Sequence, residues 1–112
     1  MMRRIFRLFF SFFLYLFILS PAFASSSLKK GETLFNLNCS VCHLGGNNII
    51  IPEKNLKKQT LEENGMNNFN AIVYQIINGK NGMPAFGGRL TELEIEEIAK
   101  YLLEASERNF EN

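Results

Sequence analysis

The chain has 112 residues, with 12 Lys+Arg against 11 Asp+Glu, two Cys and one His. That length allows one domain and excludes a multidomain enzyme. A net charge of +1 argues against nucleic-acid binding, which needs a clear basic excess to neutralise phosphates.

Composition is uneven along the chain. Seven of the 11 Phe fall in the first 24 residues: Phe6, Phe9, Phe10, Phe12, Phe13, Phe17 and Phe23. Arg3, Arg4 and Arg7 make a basic start, an apolar run from about Leu8 to Leu19 is broken only by Ser11, and Pro21 precedes Ala22-Phe23-Ala24. A basic start, a short apolar stretch and small residues flanking one position are the signature of a secretory signal peptide. A spanning helix needs about 20 apolar residues; this run is shorter, and Pro21 with the A-x-A pattern favours cleavage over anchoring. The expected cut follows Ala24, dividing the chain into a signal, 1–24, and a mature domain, 25–112. The mature domain loses three Arg, keeps all 11 acidic residues (every one of them Glu) and moves to a charge near −2. An apolar core is marginal in a domain so small. Two Cys supply at most one disulfide, so a bound cofactor is the stronger candidate for the missing stability.

Three helices are predicted in the mature domain. The first covers about Leu28–Asn38, with Ser27 available as a cap and Gly31, Leu34 and Phe35 on one face. The second covers about Phe69–Asn78. Asn68 is its N-cap, Ile72, Val73, Ile76 and Ile77 form its apolar stripe, and Gly79 stops it. The third opens on Thr91-Glu92-Leu93-Glu94, a capping box, and continues with Ile95, Ile98, Ala99 and Leu102 at i, i+3, i+4 and i+7. A short fourth turn is expected from Thr60, boxed by Glu63, to Gly65. The segments between are rich in Gly and Asn, and Ile49-Ile50-Ile51 is stopped by Pro52 before it can make a strand. The expected fold class is small and all-α, with three to four helices and long loops. Loops this long in a small domain need something to pack against.

Cys39-Ser40-Val41-Cys42-His43 is a C-x-x-C-H pentad, the attachment signal of c-type haem. Thiols at i and i+3 of a helical turn face the same way and can both reach the vinyl groups of one porphyrin. His43 then projects its imidazole toward the iron. The chain's only two Cys and only His all fall inside this pentad, after a signal peptide. Competing chemistries fit less well. Zinc needs about four ligands from paired knuckles, and only three adjacent candidates exist. A thioredoxin-like dithiol belongs beside a βαβ pattern, which is absent. A plain disulfide leaves His43 and the Gly/Asn loops without a role.

A sixth iron ligand must come from a thioether, a water or an open face, since there is no second His. Met1 and Met2 leave with the signal, so Met66 and Met83 remain. Met83 is preferred: Gly82 before it lets backbone approach closely, and Pro84 after it biases it toward an extended conformation. Met66 sits beside a turn and a helix cap, where core filling is the simpler role. His/Met ligation favours ferrous iron and raises the reduction potential. Two strong protein ligands leave no vacant position for oxygen or peroxide, so the site is expected to transfer electrons and not to act as an enzyme. An enzyme or gas sensor with open iron would need Met83 absent or labile. A non-haem dithiol oxidoreductase is the third class.

The chain resembles class I cytochromes c, and among them the cytochrome c6 family of algae and cyanobacteria. The resemblance rests on Gly31 and Phe35, on Gly45-Gly46-Asn47-Asn48, on Pro52 to Lys58, on Tyr74-Gln75 with Asn78-Gly79-Lys80-Asn81, and above all on Met83-Pro84-Ala85-Phe86-Gly87-Gly88-Arg89-Leu90. It implies one covalent haem c anchored by Cys39 and Cys42, with His43 and Met83 as axial ligands. It implies that Gly31 and Phe35 meet Ile98 and Tyr101 where the first and last helices cross. It implies a soluble shuttle in the thylakoid lumen, carrying electrons from cytochrome f of the b6f complex to photosystem I through transient contacts, with Arg89 near the haem at the partner surface. The alternative in the same class is a bacterial periplasmic monohaem cytochrome serving a respiratory oxidase. Two departures stand out: Ile77, where a polar residue is expected in many relatives, and Phe110, where Trp is frequent and little effect is expected. Glu92, Glu94, Glu96, Glu97, Glu104 and Glu107 crowd the last helix and predict an acidic face that steers encounter with a basic partner patch.

Overall fold

A computed structural model describes residues 1–17 and 21–111. Ile18, Leu19 and Ser20, which end the predicted apolar run and flank it, lie outside the described residues, as does Asn112. Six α-helices are present among the described residues: α1 (Met2–Phe17), α2 (Pro21–Asn38), α3 (Ser40–His43), α4 (Lys58–Glu63), α5 (Phe69–Asn78) and α6 (Glu92–Glu107). Single 3₁₀ turns occupy Leu44–Gly46 and Pro52–Lys54. No strand forms among the described residues; only isolated pairs, Lys80 with Met83 and Gly87 with Leu90, bridge in extended geometry.

Helix α1 leaves Phe6, Phe9, Phe10, Phe12, Phe13 and Leu14 exposed. No described helix is long and apolar enough to cross a membrane.

Helix α2 differs from expectation at its start. It begins at Pro21, not Leu28, so Ser27 lies inside it and does not cap it. Proline is tolerated in a first helical turn, where its missing N–H has no intrahelical partner to lose, and Ala22 to Ser27 contains no breaker. Helix α4 likewise starts earlier than predicted. Lys57 is its N-cap, without a side-chain bond, and Thr60 stands within it. Glu63 bonds Gln59, through Nε2–Oε1 at 2.8 Å, instead of boxing Thr60.

The other two helices follow their sequence signals. Asn68 Oδ1 accepts from Ala71 N at 3.1 Å to open α5, whose Ile72 and Ile76 are buried. The α6 capping box is complete: Thr91 N donates to Glu94 Oε2 at 2.8 Å, and Glu94 N to Thr91 Oγ1 at 3.2 Å. Beyond it, Ile95, Ile98, Ala99, Leu102 and Ala105 form the buried stripe.

Helix α6 packs on both α2 and α5. The α2–α6 crossing depends on Gly31, because a Cβ there would run into the Glu97 carbonyl oxygen and Tyr101 Cβ. One turn on, Phe35 is 2% exposed and its ring lies 5.4 Å from that of Tyr101. The implied meeting of Gly31 and Phe35 with α6 is therefore present. Phe110 does more than its terminal position suggested. Its ring stands 5.8 Å from Phe35 and presses on Gly46, whose φ of +75° and missing Cβ leave room for it. The chain reaches that place through Asn109 and Phe110 themselves, at φ of +51° and +61°. Left-handed backbone is unfavourable for a bulky residue; here the aromatic contact offsets it.

The buried apolar residues do not enclose themselves. Phe35, Leu61, Ile72, Ile76, Phe86, Ile98 and Leu102 all belong to the core and also line one cleft of about 250 Å³. Most of the core thus opens onto the site.

Candidate haem site

The pentad sits at the turn from α2 into α3. Cys39 N donates to Phe35 O at 2.8 Å, and Cys42 N and His43 N both donate to Cys39 O, at 3.1 and 2.9 Å. Helical geometry therefore runs through the motif, and thiols three residues apart share one side. Cys39, Cys42 and His43 all line the cleft. The two thiols are not joined to each other. Burial pushes the Cys39 thiol up to about 11. The thiol of a disulfide-exchange centre is shifted the other way, toward thiolate. Among the described residues no three His, Cys, Asp or Glu side chains converge as a metal-ion cage.

His43 Nδ1 lies 2.8 Å from the Asn47 carbonyl oxygen. A carbonyl only accepts, so Nδ1 must carry the proton. That tautomer leaves the Nε2 lone pair free for a metal, and the bond fixes the ring. The acceptor is held in place by the 3₁₀ turn, since Asn47 N donates to Leu44 O at 3.2 Å.

Met83 arrives from the other side of the sequence and lines the same cleft. Its backbone exchanges two hydrogen bonds with Lys80, at 3.1 and 3.0 Å, closing a tight turn. Gln75 Nε2 donates to Met83 Sδ at 3.6 Å. Sequence reasoning gave Gln75 no role of its own, although its spacing from the buried Ile72 placed it on the cleft face of α5. Met66 also borders the cleft, packed against the core.

These residues fit a planar apolar macrocycle. The core is open on one side, two cysteines stand at its edge, and an imidazole of defined tautomer and a thioether share the space. A porphyrin bound there would supply the missing core wall against this apolar lining.

Comparison with known proteins agrees. Residues 26–102 match a protein-family model described as cytochrome c oxidase, cbb3-type, subunit III. Cytochrome c6 of Petalonia fascia is 55% identical over 83 residues, covering 74% of this chain and 98% of that protein. The chain belongs to the cytochrome c6 family. Cytochrome c6 of a Synechococcus strain is 50% identical over 91 residues, covering 81% of this chain and 80% of its own. The crystal structure of cytochrome c6 from the diatom Phaeodactylum tricornutum superposes with a TM-score of 0.71 at 45% identity, over 73% of this chain and 97% of that one. As a cytochrome c6 the chain is an electron carrier with one covalently bound c-type haem and the all-α class I cytochrome c fold.

The acidic face of α6 is smaller than its composition implied. Glu97 is not on it: the residue is 7% exposed and turned toward α2, with Lys30 Nζ 3.3 Å from its Oε2 but no aligned hydrogen bond. Glu94 is spent in the capping box, Glu104 pairs with Arg108 at 3.2 Å, and Glu107 pairs with Lys58 at 2.7 Å. Glu92 and Glu96 have no ion-pair partner among the described residues. The three ion-paired carboxylates add little net field at a distance, so the unpaired charge of this face falls to Glu92, Glu94 and Glu96.

Proposed function

We propose that residues 25–112 form a soluble one-electron shuttle of the thylakoid lumen, taking electrons from cytochrome f of the b6f complex and delivering them to photosystem I. In this reading Cys39 and Cys42 hold the haem through thioethers, and His43 and Met83 are its axial ligands. The observation that carries it is the convergence of all four side chains on one apolar cleft, with His43 fixed by Asn47 in the tautomer that offers Nε2. The bound haem supplies a reversible one-electron couple. The chain's residues do the rest. Asn47 keeps the imidazole from rotating, Gln75 orients the thioether, and Phe35, Ile72, Phe86 and Ile98 exclude water. Rigid ligands on packed elements need little rearrangement between oxidation states, which suits fast transfer. Arg89 lies over the Phe86 ring, 4.9 Å from its centroid, and would offer a partner a cation beside the cleft wall.

Residues 1–24 act in this proposal as a cleaved signal peptide. The exposed aromatic side chains of α1 support removal, because such a surface would promote association if retained. The family-model match to an oxidase subunit favours a second reading, a bacterial periplasmic cytochrome donating to a respiratory oxidase. Electron-transfer kinetics from the reduced, processed protein to isolated photosystem I and to a terminal oxidase decide between them. Fast turnover of photosystem I alone supports the first reading; fast turnover of the oxidase alone rejects it.

A further inference from the structure

The sequence contains three Asn-Gly dipeptides, at 64–65, 78–79 and 81–82. Asparagine followed by glycine is prone to deamidate, since no side chain obstructs the following backbone nitrogen. All three Asn are exposed, so exposure does not separate them. Hydrogen bonding does. Asn64 Nδ2 donates to Thr60 O at 2.8 Å, and Gly65 N donates to Glu62 O at 3.1 Å. Asn78 Nδ2 donates to Tyr74 O at 2.8 Å, and Gly79 N donates to Gln75 O at 2.7 Å. In both pairs the leaving amide and the attacking nitrogen are engaged. At the third pair, whose two residues border the cleft, neither the Asn81 amide nor Gly82 N–H has a protein hydrogen-bond partner among the described residues. Asn81 sits at φ +53°, in the two-residue turn between Lys80 and Met83.

We propose that Asn81-Gly82 is an autocatalytic deamidation site built into the loop that presents Met83. The Gly82 nitrogen gives its proton to base and attacks Asn81 Cγ. The new N–Cγ bond closes a succinimide, the Cγ–Nδ2 bond breaks, and the amide departs as ammonia with the proton. Water then opens the ring at either carbonyl, leaving an aspartyl or isoaspartyl residue at position 81. No electrons are exchanged, and water and base are the only reagents.

The product carries a carboxylate two residues from Met83. A nearby negative charge favours ferric over ferrous iron, so the reduction potential falls with age. This second step rests on Met83 being an axial ligand.

The test is a time course of the purified holoprotein in mildly alkaline buffer, followed by peptide mapping with mass spectrometry. Conversion at Asn81 should be roughly tenfold faster than at Asn64 or Asn78, equivalent to about 1.4 kcal/mol of barrier. Equal rates at the three sites, faster conversion at either of the others, or no conversion at Asn81 overturns the proposal. Asn81→Gln, whose longer side chain disfavours ring closure, should abolish conversion there and hold the potential constant over the same time. Asn81→Asp should start with a lowered potential. An unchanged or raised potential in Asn81→Asp refutes the second step and leaves the deamidation site standing. The thioether–iron absorption band of fresh protein checks the Met83 assignment separately.

Discussion

Gln75→Leu isolates one contact at the site. Gln75 Nε2 donates to Met83 Sδ at 3.6 Å. That bond draws electron density from the sulfur, and an electron-poor thioether supports ferrous iron over ferric. Removing the donor while keeping an apolar side chain of comparable bulk should lower the reduction potential. A neutral hydrogen bond contributes about 0.5–1.5 kcal/mol, and a sulfur acceptor at this distance belongs near the bottom of that range. Taking ~0.5–1 kcal/mol as the difference between oxidation states, and about 59 mV per 1.4 kcal/mol for one electron, the fall is roughly 20–40 mV. Spectroelectrochemical titration of the two holoproteins measures it. An unchanged or higher potential, with the thioether–iron absorption band intact, would show that the Gln75 amide does not act on the sulfur.

Four further outcomes test the fold and the ligand set. Gly31→Ala places a Cβ against the Glu97 carbonyl and Tyr101, and overpacking of this kind costs about 1–3 kcal/mol, read as a lower urea midpoint with unchanged slope. Phe110→Ala removes the ring packed on Phe35 and Gly46; because Phe110 is half-buried, the loss should be about 2 kcal/mol, below the range for a closed core. Thr91→Ala breaks the α6 capping box and should cost about 1 kcal/mol of stability, again by urea titration. Met83→Ala should leave the haem attached and make the reduced protein bind carbon monoxide at neutral pH, seen by optical difference spectroscopy; failure to bind would assign the sixth position to another group.

Much of this structure could be read from the sequence because its signals are local. Asn68 and the Thr91–Glu94 box state where α5 and α6 begin, and each cap is made within three residues. The pentad states the chemistry in five positions. What escaped depends on contacts distant along the chain. Phe110 matters because it meets Phe35 and Gly46, and nothing near position 110 announces that. Glu97 looked like one more surface carboxylate until the α2–α6 crossing turned it toward Lys30. Gln75 gained a partner only when the Met83 loop folded back over α5. The early start of α2 at Pro21 has a different cause. Residues 22–27 lack a breaker, so helix propagation beyond the predicted boundary meets no local obstacle.

The most direct test of the account is mass spectrometry of the processed, denatured holoprotein, followed by digestion and mapping of the coloured peptide. One haem should remain bound through denaturation, and the peptide that carries it should contain Cys39 and Cys42, with the N-terminus of the intact chain at Ser25. A polypeptide of unmodified mass, or haem that washes away once the protein unfolds, would contradict covalent attachment at the pentad and the electron-carrier function built on it.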